Sequence, residues 1–253
     1  MRHYCLIFFI LLMQLSPLVG QRSFERLIRS DDHQELQIGD VYDLYSDSIN
    51  TSRDFINGKE YENYYNPVYT NPLLRPAEQH SATIFIKGKK YENLILQYDT
   101  FLDEVIYRDQ NRLINNTFYK IELNKGMVDA FILEFSDDYM QFKYIEIPGH
   151  VESKLKSGFY EVLYDGGSQF IIKHQSYLTK EGGRDIYKYS PKNYVRIHDV
   201  YYKFKTRRSL LRLFGSHTRE VKKYLRTNNI YFRDANKFQI AGIIRYYDSL
   251  TTP

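Results

Sequence analysis

Seven histidines stand at positions 3, 33, 80, 150, 174, 198 and 217, and no two have the i, i+4 spacing by which a helix presents paired zinc ligands. No HExxH run occurs either. In "QFIIKH", His174 shares a strand face with Phe170 and Ile172, which predicts a hydrogen-bonded core or rim residue rather than a general base. In "RIHDV", His198 and Asp199 are neighbours on an expected strand, where alternation points them to opposite faces. Serine chemistry lacks a GxSxG elbow, and Ser168 follows Gly166-Gly167 in what reads as a hairpin tip. The adjacent acids Asp31-Asp32, Asp103-Glu104 and Asp137-Asp138 would serve glycoside hydrolysis only by meeting across a cleft at about 5–9.5 Å. Their neighbours suggest turns and strand ends instead. There is no phosphate-binding glycine loop and no acidic calcium loop, so no cofactor or metal is expected.

The elements that would position any site are mostly strands. Among 253 residues, 25 are tyrosine, 16 phenylalanine and none tryptophan, a balance that favours half-buried pleated surfaces. From residue 40 to 204 the dominant period is two: Leu94, Leu96 and Tyr98; Tyr119, Ile121 and Leu123; and Phe131, Leu133 and Phe135 each share a face. Tyr160, Val162 and Tyr164 alternate with Glu161 in the same way, which assigns Glu161 to the wet face. Gly166-Gly167 and Gly182-Gly183 mark tight hairpins, and Gly126 in "NKGM" suggests a turn that uses the left-handed conformation. In "MQFKYIEI" the apolar register slips near Tyr144, as a bulge would make it do. About ten to twelve strands are expected from turn signals spaced 8–12 residues apart.

The phrase "FINGKEYEN" from Phe55 returns as "FIKGKKYEN" from Phe85. Each copy reads as a strand, a turn at Gly58 or Gly88, and a returning strand, which predicts two adjacent hairpins of one sheet. Between the copies, "YNPVYTNPLLRPAEQHS" carries Pro67, Pro72 and Pro76 and no periodicity. Proline removes ladder donors, so this is an irregular surface excursion and the segment best suited to meet a ligand or partner. Tyr65, Tyr69, Leu73, Leu74 and Arg75 are its candidate contact residues.

After Lys205 the period becomes 3.6. "SLLRLF" forms one turn, Val221, Tyr224 and Leu225 one face, and Ile240, Ile243, Ile244 and Tyr247 a stripe on a last helix capped by Asp234. Such stripes need a sheet face to cover. Residues 205–253 hold eleven Lys and Arg against three acids, whereas residues 21–204 hold 23 against 28. A basic tail on an acidic body suits docking on that body, on an anionic partner or on an anionic surface, while basic residues that simply solvate the outer faces of the helices are the favoured alternative.

At the other end, Arg2 precedes the apolar run "CLIFFILLM", with Ser16, Pro17 and Gly20 before Gln21. This is the plan of a secretory signal over residues 1–20, too short for a comfortable membrane span. The single cysteine, Cys5, lies inside it, so a processed chain has no thiol for disulfides, metals or nucleophilic attack. Export also argues against nucleic acid as the partner of the basic tail.

The leader, the two "GKxYEN" phrases, "GFYEVLYDGG" and "RRSLLRLF…REVKKYLRTNNIYFR" together resemble a group of small exported proteins of Gram-negative bacteria that has no assigned activity. The resemblance implies an envelope location, periplasmic or outer, and no catalytic residue. The expected fold is α+β: a signal (1–20), a lead-in (21–39), a large antiparallel meander, curved or half-barrel (40–204), and a basic helical C-terminal segment (205–253). The expected function is binding of an envelope protein or apolar molecule on a tyrosine-rich sheet, with no membrane span once the signal is removed. A hydrolase acting on glycan or ester through carboxylates or His174 is the alternative.

Overall fold

The computed structural model describes residues 55–251 apart from 57, 65–69, 76–79, 115, 137 and 148–154. The expected leader and lead-in therefore lie outside the described residues. The chain is α+β, an antiparallel meander followed by short helices, as its alternation suggests. Its strands are β1 (Lys59–Glu60), β2 (His80–Ile86), β3 (Lys89–Asp99), β4 (Glu104–Ile114), β5 (Thr117–Glu122) and β6 (Val128–Glu134). There follow β7 (Tyr139–Ile145), β8 (Gly158–Asp165), β9 (Gln169–Lys173), β10 (Ser176–Glu181), β11 (Arg184–Tyr189), β12 (Lys192–Ile197) and β13 (Val200–Phe204). Three helices close the chain: α1 (Arg207–Leu213), α2 (Thr218–Thr227) and α3 (Lys237–Thr251). Eleven strands form one sheet in the order β1-β5-β4-β3-β2-β6-β7-β8-β9-β12-β13, and β10-β11 stand apart as a hairpin.

The sheet curls without closing into a barrel. β5 and β6 are four places apart in the sheet, about 19 Å if it were flat, yet only residues 123–127 join them, partly as a 3₁₀ turn. Five residues with a helical turn among them cannot span that distance, so the strands must roll toward one another. Rings confirm the curvature: Tyr98 on β3 lies 6.3 Å from Phe159 on β8, although those strands are also four places apart. The concave face is filled by its own side chains. Tyr98, Phe131, Phe142 and Phe159 are fully buried there, and Phe131 stacks on Phe142 at 4.5 Å.

A clasp fastens the roll. Asp103, in the β3–β4 turn, accepts hydrogen bonds from Tyr98 Oη and from Lys173 Nζ, each at 2.5 Å, and pairs with Lys125. Burial pulls the Lys173 ammonium down to about 8, although Asp103 pushes the other way. A Cβ on Gly158 would fall 2.2 Å from the Asp103 carboxylate, so β8 begins with the one residue that lets the clasp close.

The helices cover the rest of the same sheet face. Phe170, Ile172, Val195, Ile197 and Phe204 pack beneath α1, α2 and α3. Ile240, Ile243, Ile244 and Tyr247 are all buried, as their spacing predicts, each contributing about 1.5–3 kcal/mol. The cap of α3 is Asn236, not Asp234: Asn236 Oδ1 accepts from the Gln239 N–H at 2.9 Å while Gln239 Oε1 accepts from the Asn236 N–H. A reciprocal box satisfies two helix-end donors, which an aspartate two residues earlier cannot reach.

Four local expectations are corrected. The second phrase copy is a two-residue hairpin with Lys87 and Gly88 both at positive φ, but the first is not a hairpin. Its Lys59-Glu60 pairs instead with β5 at the sheet edge, and Phe55 packs 4.8 Å from Tyr91, the tyrosine of the other copy. The run at Lys125–Met127 is a 3₁₀ turn capped by Asn124, and Gly126 is absent from the positive-φ residues. His198 and Asp199 form the β12–β13 turn, both at positive φ, rather than sitting on a strand. β7 pairs without a register shift, with β6 from Tyr139 to Lys143 and with β8 from Phe142 to Ile145. The register slip there has another cause: Ile145 and Ile147 serve a smaller cluster on the opposite sheet face, with Tyr160, Ile171 and Tyr194.

Candidate binding site

Where β3 ends, Asp99 is fully buried and its carboxylate organises a surface. One oxygen accepts the N–H groups of Phe101 at 2.8 Å and Leu102 at 2.9 Å, an Asx turn that fixes the tip of the β3–β4 connection. The other accepts the hydroxyls of Tyr61 at 2.9 Å and Tyr64 at 2.7 Å. Two chain segments are thus pinned to one buried group. Burial, followed by Asp99, pushes the Tyr64 phenol well above its ordinary range, so it stays a donor.

The result is a triangle of rings facing outward. Tyr64 lies 6.2 Å from Phe101 and 6.1 Å from Tyr187 on β11, and Phe101 lies 5.1 Å from Tyr187. Tyr64 and Phe101 are each 40% exposed and Leu102 39%, and apolar groups exposed together in one patch carry more meaning than ones scattered singly. The free-standing hairpin is held against this triangle by the Tyr187 N–H, which donates to Thr70 Oγ1 at 2.7 Å. Leu178, opposite Tyr187 in that hairpin, extends the apolar surface with 49% exposure.

The segment nominated from sequence borders this surface. Tyr65 and Tyr69 lie outside the described residues. Leu73 bridges Asp99 and, with Tyr61 and Ile106, forms a small buried cluster. Leu74 is buried in the main core, its N–H donating to the Tyr98 carbonyl at 2.9 Å. Arg75 lies over the Phe135 ring at 4.0 Å and reaches toward Asp138. The buried His80 ring bonds the carbonyls of Leu74 and Arg75, which holds the segment's exit. Asp99, Tyr64, Phe101 and Tyr187 escaped the sequence reading. Only "YDTFLD", an acid followed two residues later by an exposed aromatic, hinted at the Asx turn.

His174 lies in a second arrangement, buried between the aromatic core and the helix layer. Its Nε2 meets Glu161 Oε2 at 2.8 Å and its Nδ1 meets the Tyr189 hydroxyl. Glu161, 1% exposed, also accepts from Lys237 Nζ at 2.6 Å, and Lys237 reaches Asp138 at 3.3 Å. Burial works against a charged Glu161, but His174 and Lys237 together outweigh it and hold its carboxyl below the ordinary 4.5. A carboxylate that orients a histidine is half of a hydrolytic triad. Here the position a nucleophile would take is filled by a tyrosine hydroxyl, and Ser176 Oγ is engaged by Thr100 at 2.7 Å. Glu161 therefore faces the core, contrary to the wet face that alternation assigned it. Both sheet faces are covered at β8, and a register shift between Val162 and Tyr164 breaks the alternation.

Among the described residues, no three histidine, cysteine or acidic side chains gather as metal ligands, and no helix is long and apolar enough to cross a membrane. No protein-family model matches the chain, and neither does a curated protein or a solved structure.

Proposed function

We propose that this is an exported, non-enzymatic envelope protein whose aromatic surface at Tyr64, Phe101 and Tyr187 seats a partner protein. The observation that carries the reading is the ring triangle itself: Tyr64 and Phe101 are exposed yet fixed through hydrogen bonds to the buried Asp99, and the half-buried Tyr187 completes it. Rigid exposed aromatics give large contact area at little entropic cost, which is why they anchor protein interfaces. A protein is favoured over an apolar small molecule because the concave sheet face is occupied by Tyr98, Phe131, Phe142 and Phe159. Export is supported by the signal-like plan of residues 1–20.

A photoreactive phenylalanine analogue at Leu102, irradiated in intact cells, tests this. The expected result is one discrete adduct, lost on Tyr64→Ala/Tyr187→Ala, in a chain whose mature N-terminus lies near Gln21. Absence of any adduct, or an adduct indifferent to the double substitution, overturns the binding surface. An intact leader overturns cleavage.

A further inference from the structure

The helical segment carries charge that the fold does not use. α1 and α2 border a cleft of about 610 Å³ into which Arg207, Arg208, Arg212, Lys222 and Arg226 converge. Leu211 supplies an apolar patch of its wall and Thr218 a hydroxyl. Helical spacing explains the convergence. Thr218, Lys222 and Arg226 follow one another at four-residue steps along α2, while Val221 and Leu225 on its other side are buried. Arg208 and Arg212 make the same step on α1, whose Leu210 and Leu211 are buried. Burying the apolar stripes therefore brings the two cationic stripes to one concavity.

Among the described residues none of these five cations forms an ion pair and no carboxylate lines the cleft. The acid nearest in sequence, Glu220, stands on α2 two residues from both Thr218 and Lys222, a spacing that turns it away from them, and it is not among the residues lining the cleft. Arg219 and Lys223 make the same four-residue step on α2 but do not line the cleft. Five like charges gathered around a cavity repel one another, and a bound anion would relieve that repulsion.

We propose that this cleft binds a compact molecule carrying several phosphoryl groups. Four of the five cations are arginines, whose planar forks match phosphate oxygens two at a time. The volume exceeds what one phosphate fills, and five cations on two adjacent helices let one discrete ligand engage several at once. The site is separate from the aromatic surface and stands or falls independently of it.

Tripolyphosphate titrated calorimetrically into the full chain is the test. Binding is expected, with monophosphate at least about a hundredfold weaker because it can engage only part of the cluster. Arg212→Gln/Arg226→Gln should weaken tripolyphosphate at least about tenfold, whereas Arg219→Gln/Lys223→Gln, an equal charge change outside the cleft, should alter it less than about twofold. All four side chains are exposed, so both variants should keep the thermal midpoint. Tyr64→Ala/Tyr187→Ala should leave the titration unchanged. The proposal is overturned by absence of binding or by equal weakening in the two double variants. It is equally overturned if the protein binds phosphatidylglycerol vesicles or single-stranded DNA and tripolyphosphate does not compete.

Discussion

Glu161 sits where a carboxylate is expensive to keep, on the inward face of β8 between Phe159 in the aromatic core and Leu163 under the helices. It remains charged because His174 and Lys237 each give it a hydrogen bond. Breaking one side of such a buried pairing costs more than the pairing contributes over an apolar substitute. Glu161→Gln should therefore lower unfolding stability by about 3 kcal/mol at pH 7, read from the urea midpoint. Because the folded state depresses this carboxyl, its contribution is present above about pH 4.5 and lost as pH falls further through the folded value. The variant should accordingly lose stability less steeply than the wild type below pH 4.5. His174 shows how much of this was legible: its burial and hydrogen bonding follow from sharing a face with Phe170 and Ile172. Its partner was not legible, because an alternating stretch covered on both faces does not reveal which set points inward.

Among the elements, the repeated phrase is the most instructive. Sequence correctly predicts the hairpin at Gly88, where two consecutive positive-φ residues make the turn. It misplaces the first copy, because pairing with β5 is a long-range event that local residues do not encode. Gly58 is small for a different reason from Gly88: a Cβ there would lie 1.7 Å from the Glu122 carbonyl oxygen. Gly58→Ala should therefore detach β1 at a cost of about 1–3 kcal/mol. Amide exchange at Tyr61, whose N–H donates to the Lys120 carbonyl, should accelerate while exchange in β2 and β6 holds. Retained protection at Tyr61 would contradict this account. The stripe of α3 was readable because a helix buries one face, so its period survives in the sequence. Asp99 was not, since its four donors come from Tyr61, Tyr64, Phe101 and Leu102, two of them far upstream.

Across the whole molecule, one sheet is bent until distant strands share a core, and the Asp103 clasp holds the bend. The clasp joins the β3–β4 turn to β9 through Lys173. Asp103→Ala would leave that buried ammonium with only the Phe159 carbonyl and no counter-charge, and the Tyr98 hydroxyl without its acceptor, so a loss of about 3–4 kcal/mol is expected in denaturant titration. Asp103→Asn/Lys173→Met should recover most of it, since removing both charges removes the orphan. Curvature itself could be anticipated only as a class, because alternation specifies two faces and says nothing about how far they roll. The attachment of Lys237 to Glu161 also makes the helical layer an electrostatic tether. A substitution that removes the Lys237 ammonium leaves the buried acid with His174 alone, so α3 and the interior of β8 should loosen as one unit rather than separately.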